Sequence, residues 1–332
     1  MRCFFCTYII HRYSSDCLPL TMRYWIPILC LFLFSCTKEV TIDIPVEEAK
    51  LVVDARIETN GAPIVLLMQS QYLYNPTDLA SYFSSNITNA TVTVTSGNNT
   101  YPLTLFSPSE LPLESQITLA EMLNLELNAL SFFPIKVYST LDPTCKGEVG
   151  KSYTLGIAYD GDQYNATTSI LAPVPLTSLS WIPDPENASF GLCLAVLTDP
   201  ISQRNAYRWE SKIITSVNGQ PKDYRFRHGG SSYFNDEFFN GLTIDFDTRY
   251  PEKDTTYPSG FKRHFKYGDS VVIRFSHIEM PVYSYFDKMR SQMESNGSPF
   301  SSPVLIPSNI SNGALGVWAG YSAWYDTLVC IP

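Results

Sequence analysis

The chain offers few side chains for acid–base or nucleophilic catalysis. Downstream of residue 36 the histidines are His228, His264 and His277, and none of them accompanies the G-x-S-x-G pattern that exposes a serine nucleophile on a sharp turn. A Ser/His/Asp triad built from distant loops is the alternative, since a triad is defined by geometry and not by spacing in the chain. We therefore predict a protein that is not an enzyme and has no catalytic residues.

Hard oxygen ligands occur as two acidic pairs, Asp236-Glu237 and Asp245-x-Asp247. Neither pair has the fixed ligand spacing and the glycine of a calcium loop. Downstream of residue 36 there is also no C-x-x-C or H-x₃₋₅-H spacing for zinc, and no glycine-rich loop for phosphate. We predict solvated turn carboxylates, no metal site and no cofactor.

Aromatic residues make up 14% of the chain, and several are interleaved with polar residues after position 223. Aromatic side chains in loops stack on sugars or anchor partner proteins. The alternative is that the rings belong to a β-rich core, which buries many aromatics. The candidate binding loop consists of Tyr224, Phe226, Tyr233, Phe234, Asp236, Phe238 and Phe239.

Cysteines downstream of residue 35 are Cys36, Cys145, Cys193 and Cys330. An oxidising compartment would allow a bridge between Cys193 and Cys330, but connectivity cannot be read from the sequence. The disulfide therefore stays open.

An export leader is predicted from the pattern that begins at Met22. A basic residue and an uncharged run, 25–34, lead to a small residue before Cys36. A spanning helix needs about 20 apolar residues, and this run has roughly half of that. We predict a signal peptide over 22–35 and interpret 1–21 as an upstream mis-start.

The end of this leader is suited to lipid chemistry. Leu33-Phe34-Ser35-Cys36 resembles the lipobox of bacterial lipoproteins, in which the cysteine receives a diacylglycerol and becomes the mature N-terminus. Several acyl chains, at about 0.8 kcal/mol per buried CH₂, hold a protein firmly on a bilayer. Cys36 is the predicted lipidation site and 36–48 the lipidated tether. A cleaved, unlipidated signal or a buried N-terminal strand are the alternatives.

Lys38 and Glu39 follow the predicted lipidation site. A lysine and an acid in this place resemble the export signal that sends Bacteroidota lipoproteins to the outer face of the outer membrane. The alternative is a polar tether, because chain termini are commonly solvated. The expected location is the cell outer membrane, lipid-anchored and facing outward.

The charge balance excludes one class of partner. The chain has 32 acidic and 23 basic residues, a net charge of −9. A surface this acidic disfavours nucleic acid, whose phosphates need counter-charges from Lys and Arg. We predict no nucleic-acid partner.

Apolar and polar residues alternate in many short segments, which is the period of a half-buried strand. Examples are 51–57 and 90–95, and Asp160-Gly161 marks a tight hairpin turn. Short strands with polar turns predict an all-β, mainly antiparallel fold made of two β-sandwich-like domains. The first, over 49–172, is predicted to be an immunoglobulin-like sandwich.

Four prolines between 173 and 187 predict a Pro-rich linker there. The second β-rich domain is expected over 188–332. Apolar residues at spacings of three and four predict one helix over 282–294, packed on the sheet. A further apolar stretch, 118–130, is either a short helix or a loop.

The most specific pattern is N-I-x-x-G-x-L-G-x-W-x-G over residues 309–320. This block, together with residues 50–53, 150–155 and 236–241, resembles the Bacteroidota lipoproteins grouped as domain of unknown function 4249. Glycine at such spacing lets a strand bend or another backbone approach, and ligand contact is the alternative to this folding role. The residues of the family block are Asn309, Gly313, Gly316, Trp318 and Gly320.

The resemblance implies an acylated N-terminus, β-rich domains and a TonB-dependent β-barrel transporter as partner; no catalytic residue comes with it. We expect a surface-exposed outer-membrane lipoprotein that is a non-enzymatic binding or accessory subunit of a TonB-dependent nutrient-uptake system. Its ligand, a glycan or a peptide, stays unidentified. The alternatives are a structural or adhesive protein that binds host or matrix polymers, and a polymer hydrolase.

Overall fold

Strands dominate the computed structural model, which describes residues 48–71, 83–201, 203–229, 232–295 and 304–331. In chain order the strands are β1 Leu51–Glu58, β2 Ile64–Gln69, β3 Thr91–Ser96, β4 Asn99–Phe106, β5 Val137–Ser139, β6 Ser152–Tyr159, β7 Asp162–Ser169, β8 Leu176–Pro183, β9 Phe190–Thr198, β10 Ala206–Ile213, β11 Ser216–Val217, β12 Gln220–Pro221, β13 Tyr233–Asn235, β14 Thr243–Thr248, β15 Phe265–Lys266, β16 Ser270–Ile278 and β17 Leu315–Val329. The α-helices are α1 Leu113–Met122 and α2 Met280–Ser295, and 3₁₀ turns cover Pro108–Glu110 and Leu127–Phe132.

Two sheets carry the architecture. The larger is 11-stranded, in the order β13-β10-β16-β17-β1-β2-β5-β4-β3-β6-β7, and the smaller is 4-stranded, with β8, β14 and β15 all paired to β9. Among the strands named above, every pairing is antiparallel except that of β1 with β17. The predicted all-β, mainly antiparallel fold with a packed helix is confirmed.

Alternation explains why β1 forms where it does. Val53, Ala55 and Ile57 are at most 1% exposed. They belong to the apolar core formed mainly by β1, β3 and β6, which we call the first core. Asp54 and Arg56 lie between them in the sequence, so they face the other side of the sheet. The same strand therefore supplies a core on one face and charged groups on the other.

The turn between β6 and β7 takes the predicted hairpin form. Asp160 and Gly161 have φ angles of 52° and 87°, as a two-residue turn with positive φ at both central residues requires. The register follows, with Tyr159 paired to Asp162 at the end of the ladder.

The long final strand β17 joins the two halves of the chain. Its first part, from Leu315 to Tyr321, pairs parallel with β1, and its second part, from Ser322 to Val329, pairs antiparallel with β16. Trp318 lies in the first core, whereas Cys330 lies in the core formed by β9, β10 and β16, which we call the second core. The segments predicted as separate domains therefore share one strand, and Glu48–Pro332 form a single compact unit.

The prediction of an irregular linker over 173–187 is wrong for Leu176–Pro183, which form β8. Leu176 and Trp181 are buried there, and the strand pairs with β9 through a β-bulge near its start. Prolines are tolerated because β8 is an edge strand with a single neighbour, and a proline inside such a strand need not donate to a ladder. Proline content therefore marked an edge strand in this segment.

Both helical segments are resolved by the structure. The helix predicted over 282–294 is confirmed as α2, whose Val282 and Phe286 pack on residues of β10, β13 and β17. The stretch 118–130 contains the end of α1 and part of a 3₁₀ turn, separated at Asn124, which has a φ of 51°. Within the described chain, neither helix is long and apolar enough to cross a membrane.

Candidate functional site

Charged side chains gather on the face of the large sheet opposite the first core. The parallel register of β1 with β17 places Asp54 beside Val317 and Arg56 beside Ala319. Arg208 joins them from β10, two strands beyond β17 in the same sheet. These residues form the floor of a pocket.

Two helices supply the walls of this pocket. Helix α2 contributes Tyr285, Phe286, Met289 and, at the rim, the exposed Met293, and the end of α1 contributes Met122. The volume of this pocket, which is open to solvent on one side, is about 560 Å³, within the range of sites that hold small molecules or cofactors. We call this cavity, with Asp54, Arg56 and Arg208 as its floor and α2 as its main wall, the sheet–helix pocket.

A buried ion-pair network holds the floor in place. Glu121 is 1% exposed, and its Oε2 accepts hydrogen bonds from Arg56 Nη2 at 2.8 Å and from Arg274 Nη2 at 2.7 Å. Arg274 Nε also donates to Glu210 Oε2 at 2.6 Å. Despite their burial, the arginine charges hold the pKa of both glutamates below the ordinary value. The network therefore ties α1 to β1, β10 and β16.

Arg208 is enclosed more tightly than the other floor residues. Its guanidinium lies 5.2 Å from the ring of Tyr233 and 5.0 Å from the ring of Tyr321, and its Nη2 is 2.6 Å from Glu210 Oε1. Arg208 is 2% exposed, and its Nε and Nη1 have no hydrogen-bond partner within the described residues. A cation held between two rings and one carboxylate is fixed in position.

Asp54 differs from Glu121 and Glu210, the acids of the ion-pair network, because it is ion-paired to no described basic side chain. Burial raises its pKa from an ordinary 3.8 to about 6, although the charges of Arg56 and Arg208 act in the opposite direction. Its side chain is partly exposed, towards the pocket that it lines. Asp54 is thus a carboxylate that a ligand can reach.

His228 lines the same pocket but carries no charge near neutral pH. Burial lowers its pKa to about 3, and the positive charge of Arg208 adds to this effect. A neutral imidazole can donate one hydrogen bond and accept another. His228 is therefore a polar contact in the pocket and not a second cation.

A second cluster of charged side chains forms hydrogen bonds and ion pairs that hold the loop after β12 in place. Arg227 donates to Asp223 Oδ1 at 2.7 Å and to Glu252 Oε2 at 2.5 Å, and its Nη2 lies 2.9 Å from Glu126. The backbone N–H of Phe226 donates to Glu121 Oε1 at 3.0 Å. These bonds connect the loop to α1 and so to the pocket wall.

The predicted binding loop is divided among different surroundings. Tyr224 and Phe238 are exposed, at 45% and 90%, whereas Phe226, Tyr233 and Asp236 are buried. Phe234 and Phe239 pack against the second core, so the structure does not bring the rings together on one outer face. Of this loop, Tyr233 lines the sheet–helix pocket.

The residues of the family block contact the protein itself. The side-chain amide of Asn309 donates to the carbonyl of Trp318 at 2.8 Å and accepts from its N–H at 2.9 Å, and Trp318 Nε1 donates to the carbonyl of Tyr153. Gly313 has a φ of +73°. A Cβ on Gly320 would lie 2.6 Å from the carbonyl oxygen of Ser169, so these glycines serve tight turns and close backbone approach.

The remaining residues singled out from the sequence are those of the lipidation and export signals, the cysteines and the acidic pairs. Cys36, Lys38 and Glu39 lie outside the described residues. Cys193 and Cys330 are free, buried thiols of one core cluster. Within the described ranges, no group of three or more His, Cys, Asp and Glu side chains is arranged to hold a metal ion. One oxygen of Asp236, from the first acidic pair, accepts the backbone N–H of Asn205 at 2.8 Å.

The pocket floor was not predicted from the sequence, although a signal for it exists. Asp54 and Arg56 in β1, and Arg208 and Glu210 in β10, are charged pairs at alternate positions, so each pair shares a face of the sheet. Glu210 also lies directly opposite Arg274 of the adjacent strand β16, and opposite charges on adjacent strands indicate cross-strand pairing. What the pattern lacks is any sign that a helix covers this face.

Fold and pocket together define an all-β protein with a helix-walled pocket. The family model described as "Domain of unknown function (DUF4249)" matches residues 37–324. The chain belongs to this family. No curated protein matches the sequence.

Proposed function

We propose that this protein is a non-enzymatic binding module whose ligand occupies the sheet–helix pocket. The observation that carries the proposal is the pocket itself, about 560 Å³ with a mainly apolar wall from α2 above a fixed charged floor. Apolar walls with a few oriented polar groups are typical of small-molecule sites. Because ion pairs already fix Arg56 and Glu121, the floor is ordered before a ligand arrives, which reduces the entropy cost of binding.

The pocket can be tested with the full chain isolated from its native membrane. Native mass spectrometry should show a bound small molecule on the wild-type protein. Met289→Trp, which fills the cavity from α2, should remove it. Lys288→Trp places the same ring on an exposed position of the same helix and should keep it. Absence of any bound species from wild type, or its retention in Met289→Trp, would contradict the proposal.

We further propose that the module is a lipid-anchored, outward-facing accessory subunit of a TonB-dependent transporter of the outer membrane. Support comes from the Leu33-Phe34-Ser35-Cys36 segment, from Lys38-Glu39, and from the family match, which begins at residue 37, directly after Cys36. Confinement to the membrane plane would raise the local concentration of the module beside its partner.

Four measurements test this placement. Intact-mass analysis should find acyl chains on Cys36, and Cys36→Ala should release the protein from membranes. Protease treatment of whole cells should degrade it. A β-barrel transporter should co-purify with the wild-type protein under mild detergent. An unmodified peptide that runs through residue 36 would overturn the anchor.

An adhesive role is the second candidate, and one observation favours it. Phe238 is 90% exposed and Tyr224 is 45% exposed, and exposed rings can stack on polymers. Replacing both with serine should lower binding of the full chain to host or matrix polymers if this role is correct. Unchanged binding, or no binding by wild type, would rule it out.

A further inference from the structure

Among the acids of the pocket floor, Asp54 has no counter-ion within the described residues. Each of the three glutamates around the floor is ion-paired to at least one arginine: Glu58 to Arg56 and Arg274, Glu121 to Arg56 and Arg274, and Glu210 to Arg208 and Arg274. The charges of these arginines and glutamates balance. Ionised Asp54 is then the one excess charge of this group, and it is negative.

Accessibility also distinguishes Asp54 from Arg208. The free N–H groups of Arg208 are enclosed between Tyr233 and Tyr321, and the residue is 2% exposed. Asp54 is partly exposed in the pocket. A ligand that enters without displacing the two rings therefore meets the carboxylate and not the guanidinium.

We propose that the ligand of the sheet–helix pocket carries an ammonium group on an apolar body, with the ammonium paired to Asp54 and the body against α2. This inference rests on the proposed binding function. A carboxylate and an ammonium in a partly dehydrated site form a charge-assisted hydrogen bond that is stronger than a neutral one.

The remaining polar groups of the pocket are compatible with this assignment. His228 is neutral, and α2 contributes Arg290 and Glu294, which have opposite charges. The carboxylate of an acidic ligand would instead lie close to Asp54, and one of the two carboxyl groups would have to be protonated to relieve the repulsion. The walls, with Tyr285, Met289 and Met293, would hold the apolar body.

Three probes with one body and different heads test the inference: 3-phenylpropylamine, 3-phenylpropan-1-ol and 3-phenylpropionate. Calorimetric titration of the full chain at pH 7.5 should give an affinity for the amine about tenfold or more above that for the alcohol, with the carboxylate weakest. Asp54→Asn should reduce the affinity for the amine to that for the alcohol. Asp245→Asn, the same change on an exposed residue outside the pocket, should alter nothing.

The affinity for the amine should also fall between pH 7.5 and pH 5. Protonation of Asp54 removes the counter-ion, since its pKa in the free protein is about 6. The other charged groups that face the pocket are Arg56 on the same strand, Arg208 on β10, Glu121 on α1, and Arg290 and Glu294 on α2. The pKa of Glu121 is held below its ordinary value, and the pKa values of Arg56 and Arg208 lie above theirs, so these three groups keep their charges over this range. His228 stays neutral, because its pKa is about 3.

The outcomes separate this inference from the proposed function. Equal binding of amine and alcohol, or tightest binding of the carboxylate, would overturn the ammonium assignment. If Met289→Trp still abolished that binding, the pocket would stand as the ligand site. Absence of binding by all three probes would overturn the assignment, and the mass spectra described above would then decide the binding function separately.

Discussion

At Asp54, burial and two neighbouring guanidinium groups act in opposite directions, and burial prevails. The result is a carboxyl group with a raised pKa in a protein whose other floor acids are firmly ionised. Residue types and their alternation predict from the sequence that Asp54 and Arg56 share a face. They do not predict this pKa, because polar residues alternating along an antiparallel strand usually face water, and here both α1 and α2 cover this face of the sheet.

Asp54→Asn should stabilise the free protein above pH 7 and have no effect below about pH 4. The folded-state pKa of Asp54 is raised from 3.8 to about 6, so the folded protein loses stability as pH rises through this interval. The shift corresponds to a gain in unfolding free energy on the order of 3 kcal/mol for the variant at high pH. Urea unfolding between pH 4 and 8 measures it, and a pH-independent difference would contradict the assigned pKa.

Glu121→Gln should destabilise the protein by about 3–5 kcal/mol, because it removes the negative charge that the buried guanidinium groups of Arg56 and Arg274 share. The matched control is Glu148→Gln, which removes an exposed pair with Lys151 and should leave stability unchanged. Urea unfolding at pH 7 compares the two variants. A small effect of Glu121→Gln would mean that water replaces the carboxylate.

Elements were predictable where a local pattern decided them. The alternation in β1, the Asp160-Gly161 turn and the apolar stripe of α2 each contain their own signal. The region of β8 was misjudged, because its prolines suit an edge strand as well as a linker. The pairing of β17 with β1 was not predictable, since it joins residues more than 260 positions apart in register and no local pattern encodes such a contact.

Gly316→Ala should cost at least ~3 kcal/mol or prevent folding. Gly316 has a φ of +113°, and a Cβ there would lie 1.8 Å from the carbonyl oxygen of Val53. The parallel pairing of β1 with β17 would have to shift. Gly97→Ala is the control, because its φ is +58° and nothing lies within 4 Å of the added Cβ, so about 1–2 kcal/mol is expected. Thermal unfolding that ranks the two variants in the opposite order would contradict this account.

At the scale of the whole molecule, β17 connects the first and second cores, because it contributes residues to both. The sequence predicted two β-rich segments, and each does have an apolar core of its own. Composition could not show that the last strand serves both. The sharing also bears on function, because β17 supplies Val317, Ala319 and Tyr321 to the pocket before it continues into the second core.

Hydrogen exchange should therefore find one cooperative unit. The slowest amides of β6, in the first core, and of β9, in the second, should open with the same free energy, since neither core keeps its edge once β17 leaves. Mass-spectrometric exchange with increasing denaturant measures both. Clearly different opening free energies would show that the two cores unfold separately.

The most direct test of the binding account is a crystal structure of the full chain with 3-phenylpropylamine. The account predicts density for the phenyl ring against Phe286 and Met289, with the amine nitrogen about 3 Å from a carboxylate oxygen of Asp54. An empty pocket at an amine concentration that saturates binding in solution, or a ligand seated elsewhere on the protein, would contradict it.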